Sequence, residues 1–360
     1  MEKQHRQANF EILRVIAMLM IVIWHFYLHG FEGEDVFQGG FGRVNYLLSQ
    51  YIIVICSSCV NLFVLISGFF LIDKSFNWKR FILLWLQVVF WGVGIALLFY
   101  FIRPEQVALK DVFRQLLPMK NMNYWFITRY LALMLLAPGL GKAAVTLTKQ
   151  QYRGFLLALV FVGCTITMNF PYGQIMGSDK GYSLLWFIVL FFTGGYLKRF
   201  PPKIDDGKLL IIMLALSLVI LAFVAAKAFW RHRFAIELPA YNGFGFIMSL
   251  PIFIWFQNRP GSFGSGRLGH AVTAIAPYSL GVYLISEHFC IWDWLWNGLF
   301  DWKRLGGSPW LIPIMLITCC IIFLVCAGLD YLRSVVFKVC RINDLAGWCS
   351  DRLHAAFNRL

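Results

Sequence analysis

Four ionisable side chains fall within one predicted apolar helix, EILRVIAMLMIVIWHFYLHG, residues 11 to 30. Glu11 and Arg14 lie near one end, His25 and His29 near the other. Ionisable groups are costly inside a bilayer and, where kept, mark functional paths. Residues eleven apart on an α-helix differ by about 20° in direction and roughly 16 Å in height, so Arg14 and His25 share a face. Glu11 sits one turn below Arg14, and His29 one turn above His25. The planar fork of a guanidinium pairs with phosphate oxygens. An imidazole titrates near neutrality and suits general-base work. Acyl transfer from a thioester to a hydroxyl needs both. An acyl-CoA has phosphates at one end and a thioester beyond a long pantetheine arm, for which roughly 16 Å is the right scale. Each residue also has a plainer reading. Arg14 fits snorkelling to the interface, paired with Glu11. His25 fits an aromatic belt beside Trp24 and Tyr27, and His29 is placed at the outer surface.

The elements that must position these groups follow from composition. The chain has 360 residues, 59% hydrophobic and only 14% charged, with a mean hydropathy of +0.68. Soluble domains carry about 25% charged residues, so the expected fold is an all-α, polytopic transmembrane helix bundle. Ten spans are predicted, at 10–29, 51–72, 81–102, 124–141, 154–170, 183–198, 209–228, 242–257, 272–296 and 310–332. The fifth, sixth and eighth are short. The net charge of +14 lies mostly in short loops, the pattern of membrane orientation rather than nucleic-acid binding. With the N-terminus in the cytoplasm, cytoplasmic segments hold nineteen Lys and Arg and outer loops eleven, favouring N-in and C-in. No small-residue cleavage site follows the first apolar stretch, so no cleavable signal peptide is expected. Residues 1–340 read as one membrane domain and 341–360 as a basic amphipathic tail along the inner membrane face. The nine cysteines, including Cys56-Ser-Ser-Cys59, read as small apolar fillers, and no metal site is expected.

Four motifs resemble those of the integral-membrane acyltransferases of family 3, which O-acylate bacterial surface glycans. The first is Glu11, Arg14 and His25, with LRVIAM where the family often has LRGIA. The second is NLFVLISGFFL (61–71), the third YWFITRYLALMLLAPGL (124–140) and the fourth YSLGVYLISEH (278–288). They stand in family order over nearly the whole chain. Two departures are visible. Ser286 replaces a histidine in the fourth motif, with His288 two residues on as a candidate substitute. Lys79 and Arg80 form one basic cluster where the family often has a second arginine.

The resemblance implies His25 as catalytic base and Arg14 as ligand of the donor phosphates, with Lys79 and Arg80 further candidates at the same membrane face. It implies Trp125 as a pocket-lining residue beside its default as an interfacial anchor. Glu11, Glu287 and His288 join Trp125 as substrate-binding candidates, with Glu287–His288 open as an acid–base pair or a structural pair. Arg129 needs a partner, for which Glu287 is the candidate by charge. Asn61 fits either a helix-to-helix hydrogen bond or a substrate contact, and Ser67-Gly68 fits helix packing. The expected reaction is transfer of an acyl group, acetyl foremost, from the co-substrate acyl-CoA to a sugar hydroxyl. The acceptor is a cell-envelope polysaccharide or its lipid-linked precursor at the bacterial inner membrane. Two other classes are weighed: a flippase or exporter of glycan intermediates without acyltransferase activity, and a structural subunit of a biosynthetic complex. No inverted repeat supports transport.

Overall fold

The computed structural model describes residues 7–33, 35–117, 124–166, 179–260 and 266–357. These are helical almost throughout, and their only β pairing is an isolated bridge between Glu32 and Ile236. The helices are α1 Ala8–Gly30, α2 Gly42–Cys56, α3 Cys59–Leu71, α4 Trp78–Ile102, α5 Leu109–Arg114, α6 Trp125–Thr146 and α7 Lys149–Val160. They continue as α8 Leu184–Arg199, α9 Asp206–Arg231, α10 Phe244–Gln257, α11 Arg267–Ile275, α12 Ser279–Ser286, α13 Leu311–Val339 and α14 Ile342–Phe357. Side-chain acceptors start several of them: Asn77 before α4, Thr148 before α7, Ser183 before α8 and Asp205 before α9. Arg199 donates to the carbonyls of Ala144, Val145 and Leu147 and so closes the C-terminus of α6.

Among the described residues, five helical segments are long and apolar enough to cross a membrane: α1, α2 with α3 over Gly42–Leu71, α4, α9 and α13. On α9 and α13, side chains such as Ile211, Leu214, Phe223, Ile317 and Leu324 face outward, as helices in lipid require. The helix α1 is central and packs on α2, α3, α10, α11, α12 and α13. Its Leu13, Ala17, Val22, Phe26 and Tyr27 are fully buried.

Helix association in lipid relies on close packing of small residues, and α3 and α8 show it most closely. A Cβ on Gly68 would collide with the Phe191 backbone, and one on Gly194 with the Leu65 carbonyl. Gly68 therefore packs as expected.

Several predicted spans differ in form. The second starts at Gly42 and breaks at Ser57–Ser58, whose hydroxyls bond back to the Val54 and Ile55 carbonyls; such back-bonding competes with the helix ladder and bends it. The ninth is not continuous. Pro277, which has no N–H to give, sits in a 3₁₀ turn between α11 and α12, and α12 stops at Ser286. That early stop turns Glu287 and His288 into the bundle. Residues 167–170 of the fifth span, 261–265 of the loop RPGSFGSGRLG, and the basic Lys3 and Arg6 lie outside the described residues.

The tail is helical and packs on the bundle. Residues 333–339 continue α13, Arg341 turns the chain with a left-handed φ of 53°, and α14 folds back on α4. Residues 358–360 are not described.

Candidate active site

A cavity of about 1250 Å³ runs along α1. Glu11, Arg14, Met18, Ile21, Trp24 and His25 line one side of it, at the spacing of a single helix face. The elements opposite are α3, the start of α4, α6 and α12. Arg14 and His25 therefore open onto the same space, at opposite ends of the α1 stripe.

At the Arg14 end, the guanidinium is paired with Glu11 and lies over the Phe70 ring at 5.8 Å. Glu11 also lines the cavity, but Arg14 engages its carboxylate. Lys79 and Arg80 line the same end. Lys74, Lys198 and Arg333, which no motif marks in the sequence, join them there. Arg333 is held by Asp330, which is fully buried and also accepts from Gln87 Nε2 and, at 2.8 Å, from Trp91 Nε1. A buried carboxylate needs such partners to remain charged. An Asp and an Arg three residues apart in an apolar span were the available sequence signal for this group.

At the His25 end, α12 supplies the partner. Glu287 Oε1 lies 3.3 Å from His25 Nδ1, and Glu287 Oε2 lies 3.0 Å from His29 Nε2. The first contact falls short of hydrogen-bond geometry, and neither of its atoms has another hydrogen-bond partner among the described residues. Such contacts are often loose in an unliganded site and tighten around substrate. A carboxylate only accepts, so it favours the His25 tautomer protonated at Nδ1. That leaves the Nε2 lone pair free to accept a proton. His25 is only 6% exposed.

This arrangement corrects four expectations. His29 is partly buried rather than free at the surface: it bonds Glu287 and stacks on Trp292 at 4.7 Å. Glu287 stands behind His25 and is not among the cavity-lining residues. It does not pair with Arg129 either, whose guanidinium donates to the Tyr182 and Trp125 carbonyls. His288 is fully buried off the cavity and both its nitrogens are engaged, Nε2 with the Gly92 carbonyl and Nδ1 with the Cys290 N–H. With both nitrogens engaged by backbone groups, it does not reach the cavity.

The middle of the cavity carries aromatic and hydroxyl groups. Trp125 lines it and stacks on Tyr241 at 6.0 Å. Ser67 Oγ and Tyr130 OH, 3.1 Å apart, line it as well. Asn61 is resolved as a helix-to-helix link, donating to the Tyr241 carbonyl and accepting from Trp186 Nε1.

The family model described as an acyltransferase domain, that of family 3, matches residues 7–329. The chain belongs to acyltransferase family 3. Family membership makes the protein an acyltransferase, and transport without acyl transfer is set aside. The family-3 match takes in every element around His25, and it ends inside α13, before α14. No curated protein and no solved structure gives a significant match.

Proposed function

We propose that this acyltransferase moves an acyl group, acetyl foremost, from cytosolic acyl-CoA to a sugar hydroxyl of a cell-envelope polysaccharide or its lipid-linked precursor. The observation that carries the reading is that Arg14 and His25 open onto one cavity, with Glu287 behind the imidazole. In this reading the Arg14 end faces the cytoplasm in an N-in, C-in bundle of the bacterial inner membrane. The donor phosphates lie against Arg14, Lys79 and Arg80, and the pantetheine arm runs past Ser67 and Tyr130 towards His25.

The acceptor hydroxyl enters at the His25 end. His25 Nε2 takes its proton as the oxygen attacks the thioester carbonyl, forming the new C–O bond. The carboxylate of Glu287 stabilises the resulting imidazolium. The tetrahedral intermediate collapses, the C–S bond breaks, and His25 returns the proton to the departing thiolate. The balance is one ester and one thiol from one hydroxyl and one thioester, with no metal or redox partner required.

Two measurements test this reading. Surface polysaccharide from cells with and without the gene is analysed for ester-linked acyl groups. Purified protein is supplied with radiolabelled acetyl-CoA and a glycan acceptor. Label in the glycan supports the reading. Unchanged ester content together with no label overturns it.

A further inference from the structure

The segment beyond the family match builds part of the same cavity. Asn343, Ser350, Asp351 and His354 of α14 all line it. They lie seven, eight and eleven residues after the first, which places them on one face of the helix. Gly347 belongs to that face, and a Cβ there would stand 3.6 Å from Lys79 Nζ. The helix is fixed in this position by its packing on α4, with Ala346 fully buried. Its other side exposes Leu345 and Trp348.

The walls of this end differ in charge. Lys74, Lys79 and Arg80 line one wall and form no ion pair among the described residues, whereas Lys198 is engaged by Asp73 and Arg333 by Asp330. The α14 wall offers an amide, a hydroxyl, a carboxylate and an imidazole. Asp351 repels phosphate but accepts hydrogen bonds from ribose hydroxyls or an exocyclic amine. Amide and imidazole groups match the edge of a base. We propose that α14 is the wall that recognises the base and ribose of the donor's nucleotide, with the phosphates held against Arg14, Lys74, Lys79 and Arg80. This inference rests on the acyl-CoA reading above and adds to it a specificity element outside the shared domain.

The test uses the full-length protein in detergent and two titrated ligands, acetyl-CoA and S-acetyl-4′-phosphopantetheine, which lacks the nucleotide. Wild type is expected to bind acetyl-CoA more tightly. Asp351→Ala combined with His354→Ala should weaken acetyl-CoA by about tenfold, the scale of one or two lost polar contacts. It should leave the truncated ligand within twofold, which also shows that the cavity is intact. His354→Ala alone, at an exposed position, should give a smaller loss in the same direction. Equal losses for both ligands, or no loss for either, overturn the inference. Wild type that binds both ligands equally overturns it while leaving the Arg14–His25 reading in place. Wild type that binds neither overturns the donor reading and this inference together.

Discussion

At the scale of single residues, the proposed reaction divides the work between His25 and its two neighbours. A positioned general base contributes about 10²- to 10⁴-fold, so His25→Asn is expected to lower acyl transfer at least a hundredfold. An amide can hydrogen-bond the acceptor but cannot take its proton. Acyl-CoA affinity should stay within twofold, because the imidazole is far from the phosphate end. Steady-state turnover measured beside equilibrium binding separates the two effects, and full activity in His25→Asn would move the base elsewhere. His29 acts one step removed. Its bond to Glu287 Oε2 fixes the carboxylate whose other oxygen faces His25. His29→Phe keeps a ring on Trp292 but loses that bond, and should reduce turnover by about tenfold, the cost of one charge-assisted hydrogen bond. Unchanged turnover in His29→Phe would leave Glu287 positioned by its own helix end alone.

At the scale of elements, the bundle depends on close approach of helix backbones. Gly194→Leu drives side-chain atoms into the Leu65 carbonyl of α3. It should cost about 1–3 kcal/mol through overpacking, read as a lower melting temperature in detergent. A neutral melt would mean that α3 and α8 can separate without penalty. The loop after α9 is held differently. Burial raises the carboxyl of Glu237, and Lys227 and Arg231 lower it by more, so it sits below the ordinary glutamate range. A carboxyl lowered on folding adds stability above its unfolded value, and that stability is lost as pH falls through the folded one. The melting difference between wild type and Glu237→Gln should therefore be present at neutral pH and shrink as pH falls below the ordinary glutamate range, about 4.3. A difference constant across that range would assign Glu237 a packing role instead.

At the scale of the whole molecule, one cavity joins groups from α1, α3, α4, α6, α12, α13 and α14. In the proposed reaction donor binding and chemistry occupy opposite ends, so the two should separate in mutants. Arg14→Ala removes a charge-assisted phosphate contact worth about 1.5–3 kcal/mol. Acetyl-CoA affinity should fall by roughly ten- to a hundredfold or somewhat more. Affinity within twofold of wild type would remove Arg14 from the donor site.

The α1 stripe was legible in the sequence because it lies on one helix. Helical geometry fixes the angle and rise between residues eleven apart whatever surrounds them, and Glu11, Arg14 and His25 all line the cavity. Hydropathy likewise carried the all-helical architecture and most helix positions. What lies across the bundle was not legible. Glu287 was matched to Arg129 by charge alone, yet the early end of α12 delivers it to His25 and His29. His288 looked like a catalytic stand-in until its ring nitrogens met the Gly92 carbonyl and the Cys290 N–H. Asp330 finds Gln87 and Trp91 only where α4 packs beside α13. The contact of the tail with α4 has no local signature in the sequence either. Spacing along one helix sets which side chains share a face, whereas the partner of each face depends on helix order and chain breaks, which only the packed bundle decides.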